Sequence, residues 1–265
     1  MSINITNKCP PFLSTKHSHE RDSHITFDEG PHIYTIDGDS SFKSVTTFNH
    51  SFFEKFDADK VISNMMASKK WPDSQYFGMS ANEIKAKWNK NGKEASAAGT
   101  KMHEDIEYYY NNSERENNSI EYEYFKRFVK DYERLIPYRT EWMVWDKELK
   151  LAGSIDMVYE GPDGILEIYD WKRCKEIVKG NNWGKYATNP IIEHLPDTNF
   201  WHYSLQLNTY KYMLEKNYGK IIGGMYLVCL HPDNKNSSYQ RIKVADLSEE
   251  VKELMKERLA KLNIH

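Results

Sequence analysis

The stretch from residue 140 to residue 171 does most to constrain what this chain can fold into. Three strand-like runs follow one another there, Thr140 to Trp145, Leu149 to Tyr159 and Gly164 to Trp171. Turn formers separate them, Asp146-Lys147 first and Gly161-Pro162-Asp163-Gly164 second, so the spacing predicts an antiparallel β-meander. Side chains alternate along a strand. Leu151, Gly153 and Ile155 therefore take one side of the second run, and Ala152, Ser154 and Asp156 the other. In the third run Leu166, Ile168 and Asp170 share a face, Glu167, Tyr169 and Trp171 oppose them, and Lys172 returns to the side of Asp170. Across so short a turn, Asp156 and Asp170 are expected side by side.

The text around the meander alternates between helix and strand. Residues 1–22 are polar and without period, and read as a disordered arm in which His17 and His19 are solvated. His24 to Phe27 and His32 to Ile36 flank the turn Asp28-Glu29-Gly30-Pro31 and read as a hairpin. Ser44-Val45-Thr46-Thr47 leads into an apolar stretch, Phe48 to Met66, that is helical in part. Ser80 with Glu83 forms a capping box, opening a helix to about Tyr110 with a potential break at Asn91-Gly92. A second helix runs from Asn117-Asn118 to Leu135, stopped by Pro137, with Tyr122, Phe125, Phe128, Val129 and Tyr132 on its buried face.

After the meander, residues 173–198 read as a long polar loop, a length that suggests function or disorder. A helix from Asn199 to Asn217 closes at Gly219. Strands at Ile221–Leu230 and Tyr239–Val244 follow, then an amphipathic helix from Leu247. This order predicts an α/β (α+β) architecture, a mixed central sheet flanked by helices, in one domain over 23–265. Within it, 23–98 is an N-terminal hairpin and helical part, 99–245 the core and 246–265 the C-terminal helix.

Composition narrows the function classes. A net charge of −3 excludes a histone-like polycation, so contact with nucleic acid needs a local patch. Cys9, Cys174 and Cys229 are scattered, with no C-x-x-C pair, which argues against a zinc ribbon and for a reducing compartment. No apolar run approaches membrane-spanning length and the N-terminus lacks a signal-peptide pattern. A soluble intracellular protein without a membrane partner is the expectation.

The acids of the meander carry the chemistry. Two carboxylates that close repel unless a cation separates them, and their oxygens suit a hard divalent ion such as Mg2+ or Mn2+. Such an ion makes hydroxide from water and neutralises charge building on a phosphate. Lys172 adds a compact positive charge. His103 follows Gly99-Thr100, with Glu107 one turn on along the same helical face. Gln206 and Tyr210 stand at i and i+4 of the later helix and can face one cleft. Lys172, Arg173, Lys175, Lys179 and Lys185, interleaved with Trp171 and Trp183, combine phosphate neutralisation with stacking. Singly, each signal is ordinary: strand-end acids are mostly solvated, helix histidines mostly structural, and charge runs mostly loops.

Taken together they form a pattern. Gly99-Thr100-x-x-His103, Gly153-x-x-Asp156, Asp170-x-Lys172 and Gln206-x-x-x-Tyr210, in that order, resemble the RecB-like branch of the PD-(D/E)XK nuclease superfamily. Upstream, His32-x-Tyr34 and Ser44-Val45-Thr46-Thr47 look like the phage, viral and mitochondrial genome maintenance exonucleases of that branch. The resemblance spans about residues 25–230. It implies a restriction-endonuclease-like core holding one or two Mg2+ or Mn2+ ions. Asp156 and Asp170 would be metal ligands, the backbone carbonyl of Trp171 a further one, and His103 would complete the set. Lys172 would orient or activate the attacking water and stabilise the phosphate in the transition state.

In the same reading Ser44, Thr46 and Thr47 would approach the nucleic-acid backbone and Gln206 and Tyr210 would position the strand, while Arg173 and Lys175 of the basic run are further candidates for nucleic-acid contact. Glu141 matches a common acidic position and, with Glu107, is a weaker candidate. The four-cysteine cluster of the CRISPR-adaptation and AddB-type relatives has no counterpart, so no iron–sulfur cluster is expected. The implied activity is a DNA exonuclease on single-stranded ends, in replication, repair or recombination. An endonuclease on structured DNA or on RNA, and a nucleic-acid-binding protein with an idle nuclease fold, are the alternatives.

Overall fold

The computed structural model of the chain describes residues 9–180 and 184–263. In chain order its elements are α1 (Phe12–Lys16), β1 (Ile25–Asp28), β2 (Ile33–Ile36), β3 (Lys43–Ser44), α2 (Val45–His50), α3 (Ala58–Ala67), α4 (Ala81–Tyr110) and α5 (Ile120–Asp131). Then come β4 (Ile136–Asp146), β5 (Leu151–Glu160), β6 (Leu166–Lys172), α6 (Asn199–Asn217), β7 (Ile222–Cys229), β8 (Gln240–Lys243) and α7 (Ser248–Leu262). The meander forms as the turn residues require: β4 pairs antiparallel with β5, and β5 with β6. Beyond it α6 is the crossover that lets β7 run parallel to β6. β8 closes that side antiparallel, and β3 adds a short parallel pairing to β5. The result is a six-stranded mixed sheet, with β1 and β2 as a separate hairpin.

Helices cover both faces. On one, Met102 and Ile106 of α4 and Phe125 and Phe128 of α5 pack with Met157, Tyr159, Tyr169 and Trp171 of the sheet. On the other, α2, α6 and α7 bury Phe48, Leu205, Met213 and Leu254 with Trp142, Ile155, Ile168 and Leu227. The fold is thus a mixed α+β structure with a central mixed sheet. Among the described residues no helix is long and apolar enough to cross a membrane.

α4 starts on the capping box read from Ser80 and Glu83, with both reciprocal bonds present. It passes through Asn91-Gly92 unbroken. One interior glycine costs about 1 kcal/mol, which is small for a helix of 30 residues anchored at both ends. Residues 89–97 are exposed throughout, so the middle of α4 bridges between Ile84, packed near α3, and Met102 in the core.

Two expectations need correction. Residues 9–22 are not a disordered arm: Leu13 is buried and its N–H donates to Asn111 Oδ1. Asp22 pairs with Arg139 at 2.7 Å and accepts from Trp142 Nε1. His17 stacks on Tyr138, and His19 caps the short 3-10 helix Glu20–His24. Such a segment has no period of its own because its order comes from tertiary partners; residues 1–8 lie outside the described residues. α5, capped by Ser119, ends at Asp131. Pro137 does not follow a helix but sits inside β4, an edge strand whose register against β5 shifts between Pro137 and Arg139, and edges and bulges are where a sheet accommodates proline.

Candidate metal centre

The centre lies where β5 leaves β6. Along one edge β5 pairs with β4 for its whole length. Along the other it meets β3 only at Leu151 and Ala152, and β6 only from Met157 to Glu160. Residues 153–156 therefore border a fork between strands. Asp156 stands one residue outside the last β5–β6 pair, Met157 with Tyr169. The Trp171 N–H, which continues the ladder, donates instead to Asp156 Oδ2 at 2.9 Å.

A slip in strand phase aims the acids. Ile155 and Val158, three residues apart, both pack toward α6, whereas Met157 and Tyr159 pack toward α4 and α5. Opposite the slip is Glu141, whose φ of 42° is left-handed. A non-glycine residue there stores about 1–3 kcal/mol of strain and often marks a functional position. Ser154 Oγ donates to Glu141 Oε2 at 2.8 Å and fixes that carboxylate.

His103 completes a three-donor cluster. Its Nε2 is 2.8 Å from the Trp171 carbonyl. A carbonyl only accepts, so Nε2 carries the proton and Nδ1 faces the acids, 3.6 Å from Asp156 and 3.8 Å from Glu141. Donor atoms of His103, Glu141 and Asp156 all lie within 4.8 Å of one another. Burial pushes His103 down, but Asp156 and Glu141 outweigh it and raise the imidazole to about 9. Burial, then the Asp170 charge, raise Asp156 to about 7.

The donor set fits a divalent cation. Two carboxylates and an imidazole whose far N–H is tied to a backbone carbonyl is the usual way such a ligand is oriented.

The structure does not place Asp170 in that cluster. Its carboxylate is buried and pairs with Lys172 Nζ at 2.6 Å. Trp171 likewise offers its carbonyl to His103 rather than to the cluster. Glu141, the weaker candidate from sequence, is a member. Burial works against the Lys172 charge, yet Asp170 and Asp156 raise it above the usual lysine range, and the ammonium lies 4.3 Å from the Tyr203 ring. Glu107 lines a cleft of about 750 Å³ with His103, Glu141, Glu104, Phe27 and Glu29. Burial, then Glu141 and Glu104, raise Glu107 to about 7.

Gln206 and Tyr210 come together as expected, hydrogen-bonded to each other. Tyr210 is fully packed, and its hydroxyl would stand 2.7 Å from a Cβ on Gly153, which explains the glycine. Ser44 caps α2, its Oγ accepting from Thr47 N–H and donating to Thr47 Oγ1, while Thr46 and Thr47 are exposed.

The basic run is not an open track. Arg173 pairs with Glu121 at 2.6 Å, Lys175 with Asp233 at 2.9 Å and Lys185 with Glu54 at 2.8 Å. Lys179 sits over the Phe200 ring, and Trp183 lies outside the described residues.

Ser154 and Tyr203 escaped the sequence reading. Ser154 was accessible to it, since alternation puts it on the side of Asp156. Tyr203 had no signal beyond lying one turn before Gln206.

No protein-family model and no curated protein matches this chain. Among solved structures, a crystal structure of SSO0001 is similar over 95% of this chain and 84% of its own, with 13% identity and a TM-score of 0.33.

Proposed function

We propose that this chain is a metal-dependent nuclease with a PD-(D/E)XK core, acting on single-stranded DNA ends. One observation carries the reading: His103, Glu141 and Asp156 converge at the β5–β6 fork, with the Lys172 ammonium beside them. Asp156 and Glu141 would hold the ion through oxygen, and His103 through Nδ1 once its proton is lost. When bound, a Mn2+ or Mg2+ ion supplies hydroxide at neutral pH and offsets phosphate charge. Lys172 is held protonated by Asp170, so its role is to stabilise charge in the transition state rather than to accept a proton. Trp171 keeps the histidine tautomer, and Ser154 keeps Glu141 in place.

The hairpin and α4 wall a cleft of about 750 Å³, within the range of small-ligand pockets, which suits one strand rather than a duplex. The test is single-stranded DNA labelled at either end, with Mn2+, Mg2+ or EDTA, beside a circular single strand. Metal-dependent loss of the linear strand alone, abolished by Asp156→Asn, is the expected result, and the labels give the direction. Cutting of the circle would make the enzyme an endonuclease. No cleavage of DNA or RNA in either metal would overturn the reading.

A further inference from the structure

A second surface lies on the far half of α4. Residues 54–101 carry nine lysines against six acidic residues, a positive stretch in a chain of net charge −3. Aromatic rings are concentrated in it. Phe56 and Phe77 are 74% and 58% exposed, unusual for phenylalanine outside a binding surface. Phe56 and Tyr76 lie 6.1 Å and 5.9 Å from Trp88 of α4, and Trp71 lies 5.9 Å from Phe77. Below Phe56 opens a groove of about 910 Å³, with Val61 and Met65 among its apolar walls and Lys60, Lys70 and Asp73 among its charged ones, Lys60 lying 3.7 Å from Glu54.

α4 links the groove to the metal centre, through Trp88 against Phe56 at one end and His103 at the other. Lys185 and Asp197, from the segment that follows Lys172, also line it. Six residues beyond Asp197, Tyr203 carries the Lys172 ammonium 4.3 Å from its ring. Trp88 is fifteen residues before His103 on the same helix, about 22 Å away at 1.5 Å per residue. Stacked nucleotides at about 3.4 Å each would cover that span in six or seven.

We propose that this groove is a distal track for the substrate strand: bases of single-stranded DNA stack on Phe56 and Phe77 while the flanking lysines neutralise its phosphates. Exposed aromatic faces with interleaved lysine are what sequence-tolerant single-strand binding requires, and the net positive charge of 54–101 favours a polyanion over a basic or neutral peptide partner. The inference rests on the nuclease reading for the identity of the strand, but binding at the groove needs no metal.

The experiment is fluorescence anisotropy in EDTA with a labelled oligothymidylate of about twenty nucleotides, against a trinucleotide control. The proteins are the parent chain, Phe56→Ala/Phe77→Ala and Lys70→Glu. Both phenylalanines are exposed, so their removal should leave the urea midpoint in place. Loss of two stacked bases should weaken binding of the long strand by about tenfold to a hundredfold. Lys70→Glu should weaken it and lower the salt slope. Trinucleotide and Mn2+ binding should not change.

Binding by the parent without cleavage in Mn2+ would keep the groove and sink the nuclease reading. Cleavage by the parent with undiminished affinity in all variants would sink the groove alone. No binding of the long strand by the parent would overturn the track, and the groove would then fit a protein partner better. If the double variant fails to fold, Lys70→Glu decides: unchanged affinity and salt slope overturn the proposal.

Discussion

Gly153→Ala is the sharpest probe of how the fork is built. An ideal Cβ at this position stands 2.7 Å from Tyr210 Oη, 2.8 Å from Cε1 and 3.2 Å from Cζ. Carbon atoms settle at about 3.5–4.0 Å, so the ring edge would have to retreat by roughly 1 Å. It has nowhere to go: Tyr210 is 3% exposed, and Leu207, Met213 and Leu214 on the same helix are fully buried. Overpacking of this kind costs about 1–3 kcal/mol. Alanine returns about 0.5–1 kcal/mol because it has less backbone freedom to lose than glycine.

The net expectation for Gly153→Ala is a destabilisation of about 0.5–2 kcal/mol, read as a lower urea midpoint with an unchanged slope. Tyr210→Leu removes the outer ring atoms, so the added methyl should be harmless in that background. A double-mutant cycle should therefore show a coupling of about 1–2 kcal/mol. Additivity within about 0.5 kcal/mol would refute the contact and, with it, this account of the Gly-x-x-Asp spacing. Because residue 153 precedes Asp156 on the same strand, weaker Mn2+ binding should accompany the change.

Other perturbations test the charges. Asp156→Asn keeps an acceptor for the Trp171 N–H but removes a buried charge, so in EDTA at pH 8 it should raise stability by roughly 2–4 kcal/mol; a less stable variant would contradict the burial argument. Without metal, His103, raised to about 9, contributes stability that is full below its unfolded value and is lost as pH climbs through 9. Asp156 and Glu107, raised to about 7, add a fall between their ordinary carboxylate range and pH 7. Stability in EDTA should thus decline from pH 5 to 9, whereas saturating Mn2+ should gain strength over the same range because it displaces those protons; parallel curves would refute the assignment of ligands. Asp22→Ala strands an Arg139 side chain only 6% exposed and should cost about 2–3 kcal/mol, against at most ~0.5 for a truly loose arm.

Local signals were legible where local physics decides. Ser80 and Glu83 announced the start of α4, and the bounds of α6 follow from its apolar pattern and from Gly219, whose φ of 61° ends the helix region. The meander came from turn residues and alternation alone, whereas the phase slip in β5 and the pairing of Asp170 with Lys172 did not. Glu141 shows where that method stops. Its place in the cluster depends on a left-handed backbone and a phase slip across β5, and glutamate carries no preference for either. Nor could the charge run disclose its partners: Arg173 meets a glutamate 52 positions away and Lys185 one 131 away. Composition shows a charge but not whether another charge already holds it.

On the proposed nuclease reading, the charges of the site imply an order of events. Without metal, in the window from about pH 7 to 9 where Asp156 and Glu107 are ionised and His103 keeps its proton, three carboxylates, Asp156, Asp170 and Glu141, face two cations, the His103 imidazolium and the Lys172 ammonium. The pocket is then net negative, and Glu107 and Glu104 on its rim deepen that field. A phosphodiester approaching it would be repelled. Asp156, Glu141 and a deprotonated His103 would hold a dication, and the same carboxylates would then be balanced by one ammonium and two metal charges, which would remove the repulsion. If the substrate is the proposed strand, it should engage the centre only after the ion, while the proposed track on the lysine-rich half of α4 would hold it in either state. A site with this order would not clamp its substrate unless it were loaded to react, which would be the advantage of burying opposed carboxylates beside a histidine rather than lining the fork with permanent positive charge.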